Sequence, residues 1–412
     1  METPGGRGDV PQGARAAPPR PHVPASAPMP WIQVLLIACG PLVAFASMVN
    51  FAPILPIVRE EFGLSNSWAG ILASATLLSH TILQLPGGQL TDHIGGKRAL
   101  SLAVTLVGVS LIASGLAPNF ALLLAARFIL GAGTGLTFIA GIAFIHSVVP
   151  PEKRVIAQGV FGGAGNLGVL LVLLFSERIA SLVTWRGVFL VEGAVTLAIA
   201  TLLWTRLESG ESHSQGVQTS WGETLRQGPL YLLGMAHMLT YGIYVAVTSW
   251  AATFLYQTHG VGLEWAGPLA ATLSASAVVG RVIGGAISVN RERPVILVSC
   301  FGAVLFTALF PLMPGTVASL AALLILGFFA AIPFGAVFSY ITRISEEGTS
   351  GRGLSVINVV GNIGAFAFPP IIGYALDVTG SFAVGFGLLA ALGLVLGLVV
   401  ATRLPRTAVP AA

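Results

Sequence analysis

Leu124-Ala125-Ala126-Arg127-Phe128-Ile129-Leu130-Gly131 returns 196 residues later as Leu320-Ala321-Ala322-Leu323-Leu324-Ile325-Leu326-Gly327. The same offset carries Gly165-Asn166-Leu167-Gly168 onto Gly361-Asn362-Ile363-Gly364, and Gly87-Gly88 recurs as Gly284-Gly285. One half of the chain therefore echoes the other. The echo runs through a very apolar sequence: charged residues make up 9%, apolar residues 55%, and mean hydropathy is +0.86. An ordinary soluble domain carries about 25% charge, so there is too little here to solvate a globular surface. Internal repeats in such a chain point to a secondary transporter with its site near the bilayer midplane, between the halves.

A membrane crossing needs roughly 20 apolar residues, and twelve need about 240, which 412 residues accommodate with short loops. Apolar stretches place the crossings, numbered spans 1 to 12, at 31–56, 67–90, 99–117, 121–147, 156–177, 187–205, 229–254, 265–288, 295–313, 317–341, 354–376 and 381–402. Because unpaired backbone groups cannot face lipid and no alternating ten-residue pattern suggests a barrel, each crossing is expected to be a helix. The predicted fold class is an all-α membrane protein of twelve helices in two pseudo-symmetric six-helix halves.

Lys and Arg fall on one side of these crossings. Arg7, Arg15, Arg20, Lys97, Arg98, Lys153, Arg154, Arg206, Arg226, Arg291, Arg293, Arg343, Arg352, Arg403 and Arg406 share the side of the N-terminus, against Arg59, Arg178 and Arg186 opposite. Fifteen against three predicts cytoplasmic termini in a multi-pass protein of the inner membrane. The basic balance, pI 9.4, is this bias and calls for no nucleic acid.

Residues 1–30 hold eight prolines and no apolar run, so they read as a cytoplasmic tail and not a signal peptide. The N-terminal half follows at 31–205. Residues 206–228, rich in Ser, Gly, Gln and Glu, read as a flexible cytoplasmic linker, 229–402 is the second half, and 403–412 is a tail. Cys39 and Cys300 both lie inside spans and are too sparse for a disulfide framework or metal site.

After span 2 the chain reads Gly88-Gln89-Leu90-Thr91-Asp92-His93-Ile94-Gly95-Gly96-Lys97-Arg98. Glycines permit a tight turn between helix ends, Asp92 can accept from a helix N-terminus or a basic residue, and Lys97 with Arg98 would meet the anionic leaflet. A plain basic turn is the alternative reading. The stretch resembles the loop signature of the major facilitator superfamily, G-x-L-x-D-x-x-G-x-[RK]-[RK]. The resemblance extends over the whole chain through the twelve spans and two halves, and it implies a transporter that alternates access by rocking. Gly88, Asp92, Lys97 and Arg98 would then serve a gate. Arg127 matches the superfamily's span 4 arginine and joins the gating set. Snorkelling to an interface would also explain it. The second copy of the loop, after span 8, has Val289 where the first has its aspartate.

Arg281 in span 8 is the candidate anion receptor. It lies two turns from the span's end, after Ser274, Ser276 and Gly280, with no evident acidic partner. A buried guanidinium in that position can hold a small anion by two parallel hydrogen bonds. Packing against helix-end carbonyls is the competing reading. Spans 5 and 11 carry Asn166 and Asn362 in repeated G-N-x-G, which is similar to the signature of the nitrate/nitrite porter branch. That branch clamps its anion between arginines of spans 2 and 8. Here Arg281 supplies the second, and its counterpart in span 2 is Gln84. Trp185-Arg186-Gly187-Val188-Phe189 is similar to the start of span 6 in organic-anion porters.

Span 7 sets His237, Tyr241, Tyr244 and Thr248 along one face, and His80 lies one turn from Gln84. The expected substrate-binding set is Arg281, Gln84, Asn166, Asn362, His80, Tyr241 and Tyr244, with no metal and no cofactor. Partners are then a small anion and lipid, and the chain is expected to act as a monomer. Cation/proton antiport loses ground because spans 1, 4, 7, 10 and 11 lack a central acid. The leading function is transport of a small organic anion. Nitrate/nitrite transport, export of lipophilic compounds and non-transporting solute sensing stay open. An enzyme is disfavoured, since no nucleophile–base pair, metal cluster or nucleotide loop stands in the sequence.

Overall fold

In the computed structural model, residues 28–150, 153–208, 221–288, 290–344 and 351–406 are described. They form helices separated by short turns. Ten stretches are long and apolar enough to cross a membrane on their own, and the bent pair Asn66–Gln84 and Pro86–Ile94 makes an eleventh. One of the ten, Ile156–Arg206, has 51 residues, about twice a bilayer's thickness at 1.5 Å per residue. It is two crossings: backbone at Val183 and Thr184 leaves the helix, with Thr184 at φ 72°. The twelve expected spans are therefore present. They run Trp31–Phe62, Asn66–Ile94, Gly96–Gly115, Phe120–Val148, 154–182, 185–206, Gly228–His259, Leu263–Ser288, Glu292–Leu312, Gly315–Tyr340, Gly353–Thr379 and Phe382–Arg403.

Twelve crossings bring Trp31 and Arg403 to one end of the bundle, the terminal end; the other is the distal end.

Local chemistry sets the boundaries. Pro53 and Pro56 break span 1 into a helix, a 3₁₀ turn and a short helix that stops at Gly63, φ 59°. Span 2 begins where Ser65 Oγ accepts from Trp68 N and bends by 57° at Pro86, which has no N–H for the helical ladder. The stretch read as a loop after span 2 is largely helix. Residues 88–94 continue the span, with Thr91 Oγ1 donating to Gly87 O at 2.7 Å, and the chain turns only at Gly95, φ 84°. Periodicity of apolar residues ends before the helix does, because the last turns of the helix are polar. The region read as linker likewise contains a short helix, Trp221–Arg226. Val289, residues 1–27 and residues 209–220 lie outside the described residues.

The sequence echo has a physical cause. A β-carbon on Gly131 would overlap the Thr76 carbonyl where span 4 crosses span 2, and one on Gly327 would overlap the Leu273 carbonyl where span 10 crosses span 8. Gly168 sits against the Leu42 carbonyl between spans 5 and 1, and Gly364 against the Met238 carbonyl between spans 11 and 7. Each pair occupies matching places in the two repeats. Without a hydrophobic driving force between helices in lipid, close backbone approach over small residues is what packs them. The repeated glycines are the repeated crossings.

The halves meet at the distal end. A β-carbon on Gly267 of span 8 would stand 2.6 Å from the Leu173 carbonyl of span 5, and one on Gly70 of span 2 would stand 2.7 Å from Pro370 Cα of span 11. Toward the terminal end, Gly159, Gly162 and Gly163 of span 5 and Gly285 of span 8 face open space. The bundle is closed distally and parted at these glycines of spans 5 and 8 near the termini, while spans 2 and 11 stay joined through Gln84.

Candidate anion site between the halves

Arg281 lines a small cavity with Asn166 of span 5, His237, Thr240, Tyr241 and Tyr244 of span 7, Ala277 of span 8, and Ala330, Ala331 and Phe334 of span 10. Its guanidinium lies over the Phe334 ring, 4.3 Å from the centroid, and makes no hydrogen bond or ion pair among the described residues. Phe334 also meets the edge of His237, which stacks on Tyr241 at 5.2 Å and 12°. Tyr244 Oη and Ser274 Oγ are 3.0 Å apart. The aromatic floor covers one face of the guanidinium by a cation–π contact, so the N–H edge is what stays available. Free volume beside it is about 10 Å³, close to one water. An occupant larger than a water therefore requires the walls to move.

The four predicted residues Arg281, Asn166, Tyr241 and Tyr244 thus share one cavity. Gln84, His80 and Asn362 are held elsewhere, in a hydrogen-bonded chain. Asn358 Nδ2 donates to Gln84 Oε1 at 2.7 Å, and Asn362 Nδ2 approaches the same oxygen at 3.4 Å. Gln84 Nε2 lies 2.8 Å from His80 Nε2, and His80 Nδ1 lies 3.0 Å from Thr134 Oγ1, which donates to Gly131 O at 2.9 Å. With the ring proton on Nδ1, every member donates to the next. The chain links span 11 of one half to spans 2 and 4 of the other. Asn358 is the member not counted among the candidate site residues, although it stands one turn before Asn362.

Arg127 and the residues of the signature after span 2 are likewise apart. Arg127 is 0% exposed, so it does not snorkel. Its NH1 donates to Asn50 Oδ1 at 2.9 Å and its NH2 to Met48 O at 3.1 Å, between the rings of Phe51 and Phe189. Asn50 Nδ2 in turn donates to Glu192 Oε2 at 2.6 Å. An amide thus bridges a buried arginine and a buried-side carboxylate in the distal part of the first half. Asp92 and Arg98 are exposed at the terminal end, with Lys97 half-buried. Gly88 faces open space, whereas a β-carbon on Gly96 would press on Phe144. Close approach at this turn is made by Gly96. Trp185 and Arg186 both donate to Glu61, tying the start of span 6 to the end of span 1.

Comparison with known proteins agrees with this architecture. A model of the Major Facilitator Superfamily matches residues 37–369. The "Probable nitrate/nitrite transporter NarK2" of Mycobacterium tuberculosis is 27% identical over 373 residues, covering 86% of this chain and 93% of that protein. The "Probable sulfoacetate transporter SauU" of Cupriavidus necator is 25% identical, covering 85% and 88%, and the "Nitrite extrusion protein" of Bacillus subtilis 23%, covering 86% and 90%. Among solved structures, a bacterial homolog of the human lysosomal transporter Spinster, inward-facing and occupied, superposes with a TM-score of 0.76 at 18% identity, covering 92% of this chain and 96% of that one. By its sequence and its twelve-helix, two-half fold, the chain belongs to the Major Facilitator Superfamily.

Proposed function

We propose that the protein carries a small organic anion across the cytoplasmic membrane by alternating access, with Arg281 as the anion receptor. The observation that carries this reading is a guanidinium in the cavity between the halves with no anionic partner among the described residues. Charge inside a membrane protein is costly unless used, and a cation without a fixed counter-ion is completed by a mobile one. Tyr241, Tyr244, Thr240 and Asn166 add neutral hydrogen-bonding groups around it. Relatives named for nitrate, nitrite and sulfoacetate have in common a small anionic cargo, which supports the same class here.

Between the anions, the lack of a second arginine at the span 2 position counts against the two-arginine clamp of the nitrate/nitrite branch. Gln84, the span 2 counterpart of Arg281, is neutral and bonded to Asn358 and His80. One guanidinium offers one fork, which a carboxylate or sulfonate fills. The Lys and Arg bias supports cytoplasmic termini, and on that orientation the parted end faces the cytoplasm. Counterflow in proteoliposomes tests the proposal. Vesicles loaded with an unlabelled carboxylate or sulfonate are expected to accumulate the labelled compound, and Arg281→Ala to abolish it. Absence of counterflow with every small anion tried, nitrate included, would overturn it.

A further inference from the structure

At the distal end a carboxylate joins the halves. Asp377, at the end of span 11, accepts through Oδ1 from Asn66 N and Asn66 Nδ2, both at 2.8 Å. Through Oδ2 it accepts from Ser67 N at 2.7 Å and Ser67 Oγ at 2.5 Å. Asn66 and Ser67 are the first two residues of span 2, so Asp377 satisfies two amides that an isolated helix leaves without partners, and it places negative charge at the positive end of the helix dipole. The carboxylate comes from the opposite half of the molecule.

Beneath it the helices interlock. Gly70 lies against Pro369 and Pro370, and Gly373 against the Asn66 carbonyl, at separations where no β-carbon fits. Trp250 Nε1 donates to Pro369 O at 3.0 Å, fixing the proline stretch of span 11 to span 7. Glycine and proline surfaces make a close fit but supply no directional bonds; Asp377 supplies them. Its side chain is exposed, so water is at hand to replace each bond as it breaks. A contact of that kind closes firmly and opens without stranding a buried polar group.

We propose that Asp377 is the distal latch of the transport cycle, holding spans 2 and 11 together while the terminal end is open and releasing Asn66 and Ser67 when access switches. The inference rests on the alternating-access reading. It does not depend on Arg281 being the receptor.

The test reads conformation in the absence of any substrate. In the full chain, with Cys39 and Cys300 replaced by serine, spin labels go on Leu116→Cys at the end of span 3 and Val317→Cys at the start of span 10. Both sites are exposed, at 66% and 82%, on opposite halves of the distal end. Adding Asp377→Asn keeps the shape but removes the charge and turns one acceptor into a donor facing N–H groups. The population with a long distal distance is expected to rise about ten-fold, the scale for losing hydrogen bonds to a charged group. Ser67→Ala, which removes one bond of four, should give a smaller shift in the same direction and guards against a folding defect of the aspartate variant. A Ser67→Cys/Asp377→Cys pair closed by a short thiol cross-linker should stop counterflow, and reduction should restore it. Unchanged distances in both variants, or full counterflow in the cross-linked protein, would overturn the latch. Loss of counterflow in every form, with distances shifted as expected, would instead count against the transport reading.

Discussion

Gln84 Oε1 accepts from Asn358 Nδ2 at 2.7 Å, a bond between span 2 of the first half and span 11 of the second, made at the residue where span 2 bends before Pro86. The same amide hands its other end to His80 and, through Thr134, to span 4. An interior polar chain of this kind is favourable only when complete, since each missing member strands its neighbours. The two halves therefore share a directional contact inside the bundle.

Gln84→Leu is expected to destabilise the protein by roughly 1–3 kcal/mol, because His80 and Asn358 lose their partner at a buried position. Transport should slow more than anion affinity falls, as Gln84 is held in the polar chain and does not line the Arg281 cavity. Thermal unfolding and binding titration of the purified variant check both parts. Weakened binding at normal turnover would return Gln84 to the anion site.

The two intramembrane arginines should behave in opposite ways. Arg127 is bonded to Asn50 and Met48, and through Asn50 to Glu192, so Arg127→Leu leaves a buried amide and carboxylate incomplete and should cost on the order of 3 kcal/mol. Arg281 has no such partners. Its replacement by alanine should leave the melting temperature unchanged or raise it, while transport falls to background. Arg281→Lys should recover little, since an ammonium cannot form the two-bond fork. Comparable unfolding of both variants would show that Arg281 is a structural residue.

Glycines offer a further contrast. Gly131→Ala forces a β-carbon into the Thr76 carbonyl and is expected to prevent accumulation of folded protein. Gly162→Ala in span 5 meets nothing in this conformation and should raise helix stability by about 0.5–1 kcal/mol. If spans 5 and 8 close on each other in the other state, the same substitution should slow transport while raising the melting temperature. Transport at the normal rate would mean that this stretch of span 5 never packs.

How much of this the sequence disclosed depends on distance along the chain. The repeat, the twelve crossings and the cavity face of span 7 follow from periodicity, which a helix translates directly into position, so the spacing alone sets His237, Tyr241 and Tyr244 on one side. The matching places of Gly131 and Gly327 were visible as an echo, although their carbonyl partners at Thr76 and Leu273 were not. Contacts between distant helices carry no such signal. Whether Gln84 faced Arg281 or Asn358 depends on the rotation of span 2 beyond a proline bend, and Asp377, at an edge by sequence, finds its partners 310 residues away. Asn50, apolar neighbours on both sides, gave no hint that it would bridge Arg127 and Glu192.

The last prediction concerns coupling. No Asp or Glu stands among the residues lining the cavity, so Arg281 gives the empty site its charge and one bound monovalent anion neutralises it. Moving a bare charge through a closed, low-dielectric intermediate is costly, whereas the neutralised site passes through it more readily. Reorientation should thus be faster loaded than empty, and the protein should exchange anions in preference to taking them up alone. His80 is fixed between Gln84 and Thr134, which leaves His237, on the cavity wall and stacked on Tyr241, as the group able to carry a proton beside the anion. Proteoliposomes loaded with anion or with buffer alone separate the cases. Uptake is expected to be several-fold faster into loaded vesicles and insensitive to an imposed pH gradient. Rapid uptake into empty vesicles that follows the proton gradient, and is lost in His237→Asn, would show proton coupling instead.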